Sequence, residues 1–244
     1  MRNLMKVELL RITRNKKYLL MSIAMPVAFY LIFTAVLKLP NPEYQKIFMK
    51  EYLISMTTFS LTSFSIFTFP FEIIEDKKNG WRVLLNRLPI KKFDIYLIKI
   101  IKMLLLFILA IFLVFMTGFF VRKVDLTVQQ WIISALLLLF GATIFLSLGT
   151  ILSNFKDEKT VSVFANILFL GLAMLGGLWF PTDQFPGWLQ TISQMTPTYH
   201  FRELAVGYIE NGSVPLTSVL IMIAYGVVFL GISFLISRKR EDVA

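Results

Sequence analysis

The chain has no cysteine, so disulfides, thiolate nucleophiles and cysteine-ligated metals are excluded. Histidine is nearly as scarce. His200 stands alone, which leaves a histidine-built metal or proton-transfer centre one member at most. Charge is thin as well: Asp, Glu, Lys and Arg make up 16% of 244 residues, whereas a soluble domain carries about a quarter. There is no Gly-x-x-x-x-Gly-Lys-[Ser/Thr] phosphate loop, no His-Glu-x-x-His and no Gly-x-Ser-x-Gly. Nucleotide hydrolysis, zinc-peptidase and serine-hydrolase chemistry of those kinds are therefore not expected of this chain.

What is present is apolar. Hydrophobic residues make up 57% of the chain and the mean hydropathy is +0.71. The charges gather in short blocks between long apolar runs, the layout of an all-α polytopic membrane protein. A crossing takes about 20 apolar residues to traverse about 30 Å of hydrocarbon. Six runs qualify, at 18–37, 52–71, 100–120, 131–152, 161–180 and 216–236. The first is too long for a signal-peptide core, which holds about 7–15 residues, and no small-x-small cleavage site follows it. The second is rich in hydroxyls, among them Ser60, Thr62, Ser63 and Thr68, and so is expected to face protein or a pathway rather than lipid.

The net charge of +10 reads as topology and not as nucleic-acid binding, because the basic residues flank apolar runs. With the N-terminus inside, the inner segments hold 19 Lys and Arg and the outer segments 6 (Lys38, Lys46, Lys50, Arg122, Lys123 and Arg202), out of 25 in all. The expected orientation is N-in and C-in. No core of a run contains an ionisable residue, which argues against proton coupling through mid-membrane groups.

Three segments carry further meaning. In 1–17, apolar residues alternate with Arg2, Lys6, Arg11, Arg14, Lys16 and Lys17. This pattern suits an amphipathic interfacial helix, or simple positive-inside anchoring. The inner loop 72–99 holds Glu75, Asp76, Asn79-Gly80 as a turn, Trp81, Arg82, Leu84, Leu85, Arg87 and Leu88, with Pro89 as a stop. Its short amphipathic helix can rest on the membrane or dock in a partner's groove. The outer region 181–215, with Phe180 before it, holds Pro181, Phe185, Pro186, Trp188 and Pro197. It reads as a re-entrant hairpin or as an aromatic belt. His200, beside Tyr199 and Arg202, reads as a structural residue.

Together these segments resemble the ABC-2 family of ATP-binding-cassette transporter permeases, over nearly the whole chain. The stretch Glu8-Leu9-Leu10-Arg11 with Arg14-Asn15-Lys16-Lys17 is similar to the family's interfacial elbow helix. The stretch ending Leu84-Leu85-Asn86-Arg87-Leu88-Pro89 is similar to its coupling loop. Gly177-Leu178-Trp179-Phe180-Pro181, Phe185-Pro186-Gly187-Trp188-Leu189-Gln190 and Pro197-Thr198-Tyr199 are similar to its extracellular re-entrant element. Two positions depart from the pattern: Trp81 replaces a small residue, and Leu88 stands where Thr is common.

The resemblance implies a six-span, type V exporter-like permease in the plasma (inner) membrane of a bacterium. It implies contact of Glu75, Asp76, Gly80, Trp81, Arg82, Leu84, Leu85, Arg87 and Leu88 with a separate ATP-binding-cassette ATPase, which holds the ATP and Mg. This chain then needs no cofactor, metal or catalytic residue. A second permease, identical or related, completes the pump. Ser60, Thr62, Ser63, Thr68 and Asn166 are expected to line the cargo cavity. Drug- and peptide-antibiotic exporters of the daunorubicin-resistance type look nearest, with a hydrophobic or amphipathic cargo. The rivals are a non-transporting sensor or assembly subunit partnered with an ATPase, and a lipid-acting membrane enzyme, for which no nucleophile or carboxylate pair is found.

Overall fold

The computed structural model describes residues 2–14, 16–87, 92–155 and 157–241. Within them the chain is helical. Helix α1 is Arg2–Arg14, α2 Lys16–Val36 and α3 Pro42–Ser63. Helix α3 runs through a π-helical segment, Phe64–Thr68, into α4, Phe69–Lys78. A tight turn leads to α5, Trp81–Asn86. Then come α6, Lys92–Val121, α7, Val128–Leu152, α8, Glu158–Leu175, α9, Gly187–Gln194, α10, Pro197–Asn211, and α11, Leu216–Glu241.

Among the described residues, five stretches are long and apolar enough to cross a bilayer: Pro42–Lys78, Phe93–Val121, Val128–Leu152, Glu158–Leu175 and Leu216–Arg238. Leu20–Val36 forms a shorter apolar helix. The helices overrun the apolar runs where polar residues can still hold helical geometry. The run 52–71 is the middle of one continuous rod, Pro42–Lys78. Asn41 starts that rod by accepting the Glu43 N–H, with Pro42 pre-set in the first turn. Much of the expected inner loop is helix too, since α4 reaches Lys78 and α6 begins at Lys92.

The opposite happens at the fifth run. Helix α8 ends at Leu175, short of Phe180. Gly177 is left-handed, with φ 71°. The Leu178 N–H donates to the Ala173 carbonyl and the Gly177 N–H to that of Met174. This is a Schellman cap, which needs the missing side chain at Gly177.

Helix α10 is a hub of the packing. Thr196 caps it by accepting the Tyr199 N–H, and Pro197 occupies its first turn. Nearly all of it is buried, packed against α7, α11 and α3. Phe201 lies on Phe145 with ring centroids 5.1 Å apart. Gly141 lets it approach, because a Cβ there would overlap the Phe201 ring. His200 pins the same region: Nε2 lies 2.8 Å from the Gln194 carbonyl and so donates to it, leaving Nδ1 to accept from Ser218 Oγ at 3.2 Å. Burial lowers the pKa of this histidine, which keeps it neutral. Phe201→Ala is expected to cost about 3–5 kcal/mol of stability, read as a lowered thermal midpoint in detergent, whereas Trp188→Ala, on an exposed side chain, leaves the midpoint near that of the parent.

Candidate functional site

Under the cytoplasmic loop of the expected topology lies a buried cage of charges drawn from three helices. Helical spacing brings its members together. Glu8 and Arg11 are three apart on α1, Glu72 and Asp76 four apart on α4, and Lys99 and Lys102 three apart on α6. Lys102 Nζ donates to Glu8 Oε2 at 2.7 Å and also to Glu72 Oε1. Lys99 Nζ donates to Glu72 Oε1 at 2.9 Å and to Asp76 Oδ2 at 2.5 Å. Arg11 donates to Asp76 Oδ1 at 2.6 Å and to Glu8 Oε1 at 3.3 Å. Three carboxylates meet three cations, so the cage is neutral as a unit.

Burial alone would push the Glu8 carboxyl up, but Lys99, Lys102 and Arg11 together hold it at about 2. Glu8, Glu72 and Asp76 lie close enough to one another to suggest a metal site. The ammonium and guanidinium groups already take the oxygens a metal would need, so the residues present are satisfied without one.

The cage reaches the first turn of one apolar run, outside its core. Lys102 falls inside the run 100–120, and it is only 2% exposed. A buried ionisable group therefore does sit on that helix, tolerated because two carboxylates receive it. In the sequence Lys99 and Lys102 read as topology markers, which hides the cage. The signal available was the three-or-four spacing of opposite charges on three neighbouring segments.

Helix α5 is mounted directly on this cage. Gly80 enters it with φ 69°, a turn that favours glycine. Trp81 Nε1 donates to Glu8 Oε1 at 3.2 Å, and the Arg11 guanidinium lies 5.3 Å from its ring centroid. Trp81, the departure from the family pattern, thus anchors the short helix. Leu85 points inward to a small core with Leu4 and Ile98 and is 2% exposed. Val83 and Leu84 point outward, 54% and 50% exposed. Leu84 and Leu85, paired in the sequence reading, therefore have different tasks. Glu75 and Arg87 are also exposed. Leu88 and the side chain of Arg82 lie outside the described residues.

The other expected site residues are dispersed. Ser60, Thr62 and Ser63 are buried in the rod. Ser60 Oγ donates to the Ser22 carbonyl, and Ser63 and Ser22 hydroxyls lie 3.0 Å apart, so two of these groups bind α3 to α2. Thr68 is half-buried and Asn166 exposed. In the outer region Phe180, Pro186 and Trp188 are exposed, Pro181 and Phe185 half-buried, and Pro197 buried at the start of α10. A groove of about 500 Å³ between α6 and α7, with Phe112, Phe119, Trp131 and Leu136 in its wall, includes none of them.

A second charged cluster joins α3 to α10. Arg202 donates through Nη2 to Glu51 Oε2 at 2.7 Å and through Nε to Ser55 Oγ at 2.8 Å. Burial raises the carboxyl pKa values of Glu203 and Glu210, and the facing Glu51 adds to the effect. Glu51 and Arg202 are 151 positions apart, so nothing in the sequence pairs them.

Comparison with known proteins gives a consistent result. The family described as "ABC-2 type transporter" matches residues 1–210. The chain is 34% identical over 236 residues to "Putative transport permease YvfS" of Bacillus subtilis (strain 168), covering 97% of this chain and 96% of that one. It is 28% identical over 159 residues to "Probable multidrug ABC transporter permease YbhS" of Escherichia coli (strain K12), covering 63% of this chain and 42% of the relative.

Removing one cage member strands its partners. Lys102→Met is expected to cost about 3–5 kcal/mol and to lower the thermal midpoint sharply. The Glu8 contribution follows pH with a defined sign. Its folded pKa lies below the usual 4.5, so its stabilisation is present above that value and is lost as the pH falls toward about 2. The midpoint gap between parent and Glu8→Gln should narrow across that window and stay constant from pH 7 to about 5.

Proposed function

Because the chain belongs to the ABC-2 type transporter family, a family of membrane transporter permeases, we propose that it is the membrane-spanning subunit of an ATP-driven exporter. It moves a hydrophobic or amphipathic cargo, of the drug, antibiotic, peptide or lipid-like class, out of the cell by alternating access. Hydrolysis belongs to a separate ATP-binding-cassette subunit that holds ATP and Mg. The observation that carries this reading is the mounting of α5: two exposed apolar side chains, Val83 and Leu84, on a helix clamped to a buried ionic cage. An exposed apolar pair on a short helix suits a partner's groove, and a rigid mount suits the passage of force.

Six crossings, N-in and C-in, in a bacterial plasma (inner) membrane complete the proposal. The orientation rests on the basic bias, and the charged clusters support the grouping of segments by side. Glu8, Arg11, Glu72, Asp76, Lys99 and Lys102 come from segments assigned to the inside, while Glu51 and Arg202 come from segments assigned to the outside, and the two groups do not mix. The outer hairpin proposal rests on α9 and α10. Trp188, Ile192 and Met195 expose one apolar face of the first, and the second is buried.

A second permease, identical or related, is proposed on the evidence of α8. Asn166 sits among exposed Val163, Phe164, Ile167 and Leu170. Its Nδ2 donates to the Ser162 carbonyl at 2.7 Å, and a protein partner or a wet cavity between two copies would receive the rest of a carboxamide that is costly to leave facing hydrocarbon. In the cargo path, Asn166 is the accessible member, and Thr68 is half-buried with its hydroxyl turned inward. Ser60, Thr62 and Ser63 join them only if α2 and α3 part in another state.

The test is co-purification with an ATP-binding-cassette ATPase encoded beside this chain. The parent should give a stoichiometric complex with ATPase activity. Val83→Asp with Leu84→Asp should release the ATPase while leaving the thermal midpoint of the permease within a few degrees, because both side chains are exposed. Leu85→Asp should instead unfold the α5 mount. Retention of the ATPase by the Val83/Leu84 variant would contradict the docking role.

A further inference from the structure

The rod Pro42–Lys78 is held at both ends and irregular in the middle. Its outer part is clamped to α10 through Glu51, Ser55 and Arg202. Its inner part is clamped to α1 and α6 through Glu72 and Asp76. Between them lies the π segment, Phe64–Thr68. Single π turns inside α-helices recur at functional sites.

The cause of this one is legible atom by atom. In an α-helix the Phe69 N–H would donate to the Ser65 carbonyl, but here it donates to Phe64. In a continuing π turn the donor to Ser65 would be residue 70, and Pro70 has no N–H. The Ser65 carbonyl is thereby left without its helical donor. It faces Gly149 of α7, where a Cβ would overlap the carbonyl oxygen and come within 3.0 Å of the Phe69 ring. Glycine at 149 therefore seats α7 directly against the irregular turn. Next to it, the Thr62 and Thr68 hydroxyls are buried without a hydrogen-bond partner, and the Ser65 hydroxyl donates within the rod to the Leu61 carbonyl, so apolar packing, not a side-chain hydrogen bond to another helix, surrounds the turn.

We propose that the Pro70-induced π turn, bearing on Gly149, is the flexing point of the rod, and that it positions the inner half, carrying α4 and α5, to move relative to the outer half, carrying α10. The role in pumping rests on the permease reading above; the flexing itself does not. Pro70 and Gly149 are positioning residues, remote from nucleotide and acting on cargo only through the rod.

Two measurements test it. The first uses the purified chain alone in lipid nanodiscs and reads amide hydrogen exchange over 64–69. Pro70→Ala supplies the missing donor, so exchange there is expected to slow by about tenfold or more relative to the parent, with flanking turns unchanged. Equal exchange in parent and variant would overturn the flexing point, whatever the chain's function. The second uses the complex with its ATPase. Pro70→Ala should raise the thermal midpoint yet lower cargo moved per ATP by at least about fivefold. A merely structural proline would not give that opposition. A stabilised variant that pumps like the parent would overturn the positioning role. If no ATPase assembles with the parent, the permease reading fails, and the exchange result still decides whether the rod flexes at Pro70.

Discussion

Taking an ammonium group out of water costs several kcal/mol even after the protein relaxes around it. Lys102 meets that cost by sharing itself between Glu8 and Glu72, and Lys99 does the same between Glu72 and Asp76. Each carboxylate is in turn shared, so removing any member leaves two others with one partner in place of two and the cage with a net charge. Because Glu8 belongs to α1, Glu72 and Asp76 to α4, and the lysines to α6, the mutual dependence of the charges becomes a mutual dependence of three helices. The placement of α5 follows, since Trp81 and Leu85 have no other seat than the one α1 and α6 provide. A short helix held only by apolar contacts could slide. One held through a directional indole bond to a caged carboxylate has a fixed attitude.

The rod Pro42–Lys78 gives this arrangement its reach. About 37 residues of helix span more than the thickness of a hydrocarbon core. The two ionic clamps therefore sit at opposite ends of one element. Had the rod been uniformly α-helical, inner and outer clamps would be rigidly linked. The turn at Phe64–Thr68 interrupts that linkage at the level where α7 crosses. Helix α5, the cage, the interrupted rod and α10 thus form one chain of contacts.

The large features were legible in the sequence because they rest on composition. A run of about 20 apolar residues has few other uses, and the basic bias of the flanking segments is a sum over many residues. The finer features rest on direction, which composition does not carry. A six-residue helix is too short to show a period, so the outward Leu84 and inward Leu85 looked alike. Pro70 was visible inside an apolar run, but a π turn, a kink and a break are all compatible with it until Gly149 is seen beside Ser65. Glu51 and Arg202 are 151 positions apart, and no local rule pairs them. The cage lay between these cases. Its spacings were visible, and only the assumption that charges near a membrane mark topology hid them.

Joined by the cage, α1, α4, α5 and the near end of α6 are expected to move as one body. With no native cysteine in the chain, spin labels at Val7→Cys on α1 and Asn79→Cys beside α5, both at exposed positions, would be unique within each permease. The labelled chain, diluted with unlabelled copies in the ATPase complex, would be measured without nucleotide and after trapping with ATP and vanadate. The account predicts one distance in both states, within about 2 Å, while the complex demonstrably switches. A shift approaching about 5 Å, one helical turn, would mean that the cage opens during the cycle and would contradict it.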